Sequence, residues 1–298
     1  MNERPTTRLR ALIARPGCVV APGVADALAA RLVAREGFEA AYMTGFGTSI
    51  TRLGMPDIGL LTMSEMVDNA SRIAEIAGIP LIADADTGYG NPMNVRRTIR
   101  EYEKAGVAAV HLEDQSWPKR CGHLAGKRVI PQAEMVAKIK AAVDARQDPD
   151  FMIITRTDAI AVEGLERALE RGQAYREAGA DMLFIEAPVG REQVEQVAQR
   201  FKGVPLLYNM AASGKTPDIP AEELGKLGFK LAIFPNYVIL AAIPAIQAML
   251  RELKKTGTIG HWRDRMATFK EFTEIAGLPE VQQLEARYGV PEDERASL

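Results

Sequence analysis

Two short groups of residues have the types and the spacing to do chemistry. Lys119-Arg120-Cys121-Gly122-His123 sets a thiol among two cations and an imidazole. Such neighbours lower a thiol pKa or pass it a proton, and the glycine lets backbone approach a ligand closely. Asp84-Ala85-Asp86 sets two carboxylates two residues apart. In an extended segment both point to one side, and like charges that close need a cation between them. Hard oxygen ligands suit Mg²⁺, with Mn²⁺ as an alternative, and Asp57 and Glu113 can join such an ion through water. Arg156 offers the planar fork that grips a carboxylate. The plain alternatives are a surface loop with an incidental cysteine and two solvated acids at a strand end.

Something must bring these groups together, and a repeated pattern in the chain can do it. Gly17, Gly37, Gly78, Gly106, Gly179, Gly203 and Gly228 each stand just before a short apolar run, and Asp148-Pro149 fills the same place once. The runs begin at Cys18, Ala40, Leu81, Ala108, Phe151, Met182, Pro205 and Leu231, which makes eight buried strands. Helical spacing fills the intervals 61–77, 93–105, 132–143, 165–178, 191–201 and 221–227, with Thr62 or Ser64 as a cap for the first. Eight alternations predict an α/β fold, a (β/α)8 TIM-type barrel. Ala21-Pro22-Gly23-Val24 after the first strand is not a dinucleotide fingerprint, which argues against an open doubly wound sheet.

Barrel strands carry chemistry at their C-terminal ends. Those ends read Thr44, Asp84 and Asp86, Glu113 and Asp114, Arg156 and Asp158, Glu186, and Asn209, and the Cys121 loop rises from the same rim. His111 and Cys18 lie inside apolar strands and read as core. The chain reads as one domain over 1–298, with the barrel at about 8–257 and a helical extension at about 258–298. Helical patches in that extension, such as 262–275, continue after the barrel has closed and need a surface to cover, for which a partner subunit is a candidate.

Composition sets the outer bounds. The 298 residues are 47% hydrophobic and 26% charged, with a net charge of -2. That balance offers no broad basic face for nucleic acid and no patch for an anionic membrane. The longest apolar stretch, 231–250, is broken by Pro235, Asn236, Pro244 and Gln247, so a buried strand and helix explain it better than a membrane span. Two cysteines in unlike contexts suggest reduced thiols and a cytoplasmic setting.

Taken together, Asp84-Ala85-Asp86-Thr87-Gly88-Tyr89-Gly90, His111-Leu112-Glu113-Asp114-Gln115 and Lys119-Arg120-Cys121-Gly122-His123 resemble the isocitrate lyase and phosphoenolpyruvate mutase superfamily. The Lys-Arg-Cys-Gly-His loop is similar to that of its lyase branch, which includes the methylisocitrate and dimethylmalate lyases. The resemblance implies that Thr44, Gly45 and Phe46 form a loop holding the 2-oxo-acid end of a substrate. It also implies that Asp57, Asp84, Asp86 and Glu113 form the Mg²⁺ environment, and that Arg156, Glu186, Asn209 and Gly122 meet substrate. Cys121 is then the catalytic acid, with His123 beside it. A homotetramer with exchanged C-terminal helices is implied as well.

The expected activity is Mg²⁺-dependent cleavage of a 2-hydroxy dicarboxylate to a 2-oxo acid and a carboxylate. Tyr42 and Glu186 are candidates for the base. Rival activities are methylisocitrate lyase, oxaloacetate hydrolase or decarboxylase, and carboxyphosphonoenolpyruvate phosphonomutase. By ungapped comparison, two arginine positions of the methylisocitrate lyases fall on Leu240 and Phe269, and a threonine position falls on Ala211. That departure favours an alkyl-substituted malate such as 2,3-dimethylmalate over a tricarboxylate, unless a neighbouring subunit supplies Arg263 or Arg265.

Overall fold

A computed structural model of the chain describes residues 3–122, 126–212 and 216–297. Eight parallel strands close into a barrel in chain order. They are β1 (Val19–Val24), β2 (Ala41–Met43), β3 (Leu81–Asp84), β4 (Ala109–Glu113), β5 (Met152–Thr157), β6 (Met182–Ile185), β7 (Leu206–Asn209) and β8 (Phe229–Phe234). Closure runs through the β1–β8 pair, with Val19 opposite Leu231 and Pro22 opposite Phe234. No helix among the described residues is long and apolar enough to cross a membrane.

Helices α1 (Pro5–Ala14), α2 (Ala27–Arg35), α3 (Gly45–Leu53), α4 (Met63–Ala77), α5 (Pro92–Lys104) and α6 (Gln132–Ala145) belong to the first half of the barrel. They are followed by α7 (Ile160–Glu163), α8 (Leu165–Glu177), α9 (Gly190–Arg200) and α10 (Ala221–Leu227). Thr62, not Ser64, caps α4, in a reciprocal box with Glu65 that satisfies two orphan N–H groups. The glycine punctuation has its expected cause: Gly78 and Gly228 end α4 and α10 in the left-handed conformation.

Strand alternation sorts the core into two layers. Ala21, Tyr42, Ile82, Ala109, Met152, Ile154, Met182, Phe184, Leu207, Leu231 and Ile233 fill the barrel interior, with Leu9 and Ile13 of α1 in the same cluster. Ala83, Val110, Leu112, Ile153, Leu183 and Leu206 face the helices instead. Each buried aliphatic side chain contributes about 1.5–3 kcal/mol of transfer free energy, and the inward row continues to the rim by the same period of two. Asp84 follows Ile82, Glu113 follows Ala109 and His111, Arg156 follows Met152 and Ile154, Glu186 follows Phe184, and Asn209 follows Leu207.

The chain divides into two compact units, Met1–Ile239 and Leu240–Leu298. The second holds most of α11 (Tyr237–Thr256), together with α12 (Phe269–Ala276) and α13 (Leu278–Arg287). The single helical patch expected at 262–275 is in fact a 3-10 turn, Gly260–Arg265, followed by α12, because Thr268 caps a new helix with Glu271. None of α11, α12 and α13 buries a residue in the single chain. Leu240, Ile243, Ile246, Leu250 and Leu253 form one exposed apolar stripe along α11, spaced as one helix face.

Candidate active site

Tyr42, Thr44, Asp57, Asp84, Cys121, Arg156, Glu186 and Asn209 line one cavity at the C-terminal rim of the barrel, with Lys119 and Gly122. Phe46, Phe184, Ala211, Ile233, Pro235 and Asn236 complete the wall. The free volume is ≈ 30 Å³, about one water's share of the liquid. His123 lies outside the described residues.

Thr44-Gly45-Phe46 is not a loop, as the resemblance suggested, but the start of α3. Thr44 is its cap and accepts from the Gly47 N–H at 3.2 Å. The helix N-terminus, with its unpaired N–H groups, therefore faces the acids, and an anion binds well there. Gly45 must be glycine, because a Cβ would overlap Asp84 Oδ2. Gly45→Ala is therefore expected to displace the Asp84 carboxylate and to lower kcat/KM about 100-fold, the cost of a roughly 1 Å misplacement. Kinetics beside a thermal melt check this, and an unchanged kcat/KM would remove that contact from the site.

Asp84 ends β3, but the argument that strand alternation aims Asp86 the same way fails. Asp86 has φ 47, outside the strand region, and its N–H turns back to Asp84 Oδ1 at 2.9 Å. An aspartate tolerates this left-handed turn because its neighbour's carboxylate accepts the bond. Asp86 pairs with Lys119 Nζ at 2.7 Å, and the same ammonium lies 2.6 Å from Asp57 Oδ1. Burial, with Asp84 and Asp57 adding to it against Lys119, pushes the Asp86 carboxyl up to about 7. Burial also raises Asp84, but the positive groups around it and the Asp86 N–H outweigh it and hold its pKa below the ordinary value. Burial pushes His111 down to about 4, so at neutral pH Lys119 and Arg156 supply that positive charge.

Glu113 is fully buried, has one oxygen without a hydrogen-bond partner, and meets Arg156 Nη1 at 3.3 Å through the other. Burial drives its pKa well up, with Asp158 and Asp84 reinforcing the shift against Arg156 and Lys119. Among the described residues no three acids, histidines or cysteines converge on a single point. Mg²⁺ needs only one or two carboxylates and keeps waters and substrate oxygens besides. Asp84, with Asp86 beside it, fits that requirement of one or two carboxylates, and the orphan oxygen of Glu113 can join through water.

Asp158 grips Arg156 with two hydrogen bonds, Nε to Oδ2 at 2.9 Å and Nη2 to Oδ1 at 3.0 Å. The guanidinium also lies 5.1 Å over the Phe184 ring. Asn209 donates to both oxygens of Glu186 at 3.2 Å. Gly122 packs so closely on this pair that a Cβ would overlap Arg156 Nη2 and Glu186 Oε1. The segment is tied down beside it: Cys121 N–H donates to the Asp57 carbonyl at 3.2 Å, and Gln115 holds both backbone groups of Arg120.

Two placements were not visible in the sequence. Lys119 sits among the acids, where the chain order suggested only a flank for the thiol. Lys127 is buried against Asp158, and no sequence signal marks it. Ala211 lines the cavity, as the comparison with the methylisocitrate lyases suggested. Phe46, Ile233 and Pro235 add to the apolar wall, and the β8 end was the available pointer to the last two.

A family model described as phosphoenolpyruvate phosphomutase matches residues 9–254. The chain is 49% identical to 2,3-dimethylmalate lyase from Eubacterium barkeri over 281 residues, covering 94% of this chain and 97% of that one. A crystal structure of a 2,3-dimethylmalate lyase superposes with a TM-score of 0.94 at 41% identity, with both chains fully covered. Phosphonopyruvate hydrolase in complex with oxalate and Mg²⁺ superposes with a TM-score of 0.88 at 31% identity, over 96% of this chain and 99% of that one. The chain belongs to the phosphoenolpyruvate mutase and isocitrate lyase superfamily, and it is an enzyme of that group.

Proposed function

We propose that the chain is a divalent-metal-dependent carbon–carbon lyase that cleaves an alkyl-substituted malate, such as 2,3-dimethylmalate, to a 2-oxo acid and a carboxylate. The observation that carries this reading is the seating of Cys121-Gly122 in the same cavity as Arg156, Glu186 and Asn209. A thiol placed there can protonate a carbon, which a phosphonomutase has no need to do. The similarity to dimethylmalate lyase supports the same reading.

In this reading the N-terminus of α3 at Thr44, Gly45 and Phe46 binds the carboxylate of the 2-oxo-acid half, and Arg156 grips the same half with its fork. Asp84 and Asp86, with Asp57 and Glu113 around them, hold Mg²⁺ or Mn²⁺, which when bound supplies positive charge for oxyanions of the substrate. Glu186, oriented by Asn209, takes the proton of the C2 hydroxyl. Tyr42 is the weaker candidate, because burial and Asp84 hold its phenol protonated. The C2–C3 bond breaks as C2–O becomes a carbonyl, and the electron pair passes to C3 and its carboxylate. Cys121 delivers its thiol proton to C3. For 2,3-dimethylmalate the products are pyruvate and propionate, and the Glu186 proton returns through solvent to the Cys121 thiolate. His123 stands beside the thiol in the chain and serves this return. Water must be kept from the carbanion, and Gly122 closing on Arg156 and Glu186 does that.

The apolar wall of Phe46, Ala211, Ile233 and Pro235 sets the preference. Each methyl or methylene buried there is worth about 0.8 kcal/mol, whereas a carboxylate buried without a partner costs several times that. A lactate-dehydrogenase-coupled assay with Mg²⁺ should therefore show pyruvate from 2,3-dimethylmalate, with kcat/KM at least about 100-fold above that for methylisocitrate. A preference for the tricarboxylate would refute the small-substrate reading. Release of oxalate and acetate from oxaloacetate at a higher kcat/KM would move the assignment to an oxaloacetate hydrolase.

The exposed stripe on α11, with Phe269, Phe272, Val281 and Leu284 on α12 and α13 and Tyr288 just after α13, supports assembly with further copies. A homotetramer with exchanged C-terminal helices covers these side chains. Two thiols and no disulfide suit a reducing, cytoplasmic compartment.

A further inference from the structure

Lys127 is buried, yet the reaction above gives it nothing to do. Its Nζ donates to Asp158 Oδ1 at 2.8 Å and also to the Gly122 carbonyl. Asp158 has no exposed side-chain surface, and the same carboxylate makes both hydrogen bonds to Arg156. One acid is thus shared by two cations. One of them grips substrate, and the other grips the backbone of the segment that carries the thiol. We infer that Lys127 and Asp158 form a positioning pair that holds the Cys121-Gly122 segment in register with the Arg156 fork, so that the proton donor and the substrate clamp move as one body.

The surroundings make this pair rigid. Asp158 N–H donates to Asp114 Oδ1 at 3.0 Å. Asp114 Oδ2 accepts from Thr157 Oγ1 and Tyr175 OH, both at 2.7 Å, which ties the pair to α8. The thiol segment is held at three successive residues: Arg120 by Gln115, Cys121 by Asp57, and Gly122 by Lys127. Of these three ties, the Lys127 tie runs directly to the acid that holds Arg156. A buried ammonium is costly to desolvate and stays only where its acceptors are in place. Removing it deletes the tie to the Gly122 carbonyl and leaves both Arg156–Asp158 hydrogen bonds.

This inference rests on the lyase reading for its kinetic arm only. Lys127→Met keeps most of the length of the side chain and deletes the ammonium with its charge. It should lower kcat about 10- to 100-fold, the worth of one charge-assisted hydrogen bond, and leave KM within about threefold. Asp158→Asn should raise KM as well, because Arg156 loses an ionic partner. Lys127→Arg, which can still reach both acceptors, should recover part of kcat. Independently of turnover, iodoacetamide should alkylate Cys121 several-fold faster in Lys127→Met than in the wild type, read by peptide mapping. Cys18, whose thiol burial pushes up to about 12, serves as the slow internal control. An unchanged alkylation rate in a well-folded Lys127→Met overturns the inference, as does a kinetic loss carried by KM alone. If the wild type cleaves no 2-hydroxy acid, the lyase reading fails while the alkylation arm still decides this one.

Discussion

Asp86→Ala is expected to fold and to lose about 1,000-fold or more in kcat, the consequence of losing a site that supplies several kcal/mol of charge stabilisation. Chelation with EDTA should abolish turnover of the wild type, and Mg²⁺ or Mn²⁺ should restore it. The fold should survive because Lys119 keeps Asp57 as its partner at 2.6 Å, while the barrel core beneath is untouched. The measurement is turnover across a metal titration, with calorimetry of Mg²⁺ binding to the variant as an independent reading. Full activity after exhaustive chelation would sink the metal assignment and leave Arg156 and the helix N-terminus as the charge stabilisers.

Cys121→Ser should be nearly as severe and differently distributed. The hydroxyl keeps the shape, but an alcohol is a far weaker acid than a thiol, so proton delivery to C3 fails. Loss of a general acid costs about 100- to 10,000-fold in kcat. Binding of oxalate or pyruvate should be unchanged, because those anions meet Arg156 and the start of α3 rather than the thiol. Single-turnover kinetics beside product-binding calorimetry separate the two effects. A near-native kcat would make Cys121 structural and remove the main argument against a mutase.

The barrel was legible because buried runs repeat eight times, seven of them after a glycine, and each run lies at a strand in the structure. The rim residues followed from one rule, that barrel strands carry chemistry at their C-terminal ends, and Asp84, Glu113, Arg156 and Asn209 lie at or near those ends on the inward row. Strand alternation failed at Asp86, two residues beyond the strand, where a local side-chain-to-backbone bond sets the backbone instead of the pleat. α3 went unrecognised because its apolar spacing is short, and a start of Thr-Gly-Phe-Gly reads as a turn before it reads as a capped helix. Lys119 and Lys127 were beyond reach for another reason. Nothing local tells a solvated lysine from a buried one, since the acids that hold them lie 62 and 31 residues away in the chain.

Glu113 and Asp114 are neighbours in sequence and belong to different machines. Glu113 lies on the inward row beside Arg156, whereas Asp114 faces α8 and anchors Tyr175, Thr157 and Arg171. The two rows of a strand can therefore be rewritten separately. Substitutions along the inward row retune chemistry against a constant scaffold, and substitutions along the outward row retune stability against a constant pocket, except at Asp114, whose hold on the Asp158 N–H reaches the pocket. Changes made in opposite rows at well-separated positions should combine almost additively. A single-residue insertion in β4 is the opposite case, because it would send Asp114 to the cavity and Glu113 to the helices at one stroke.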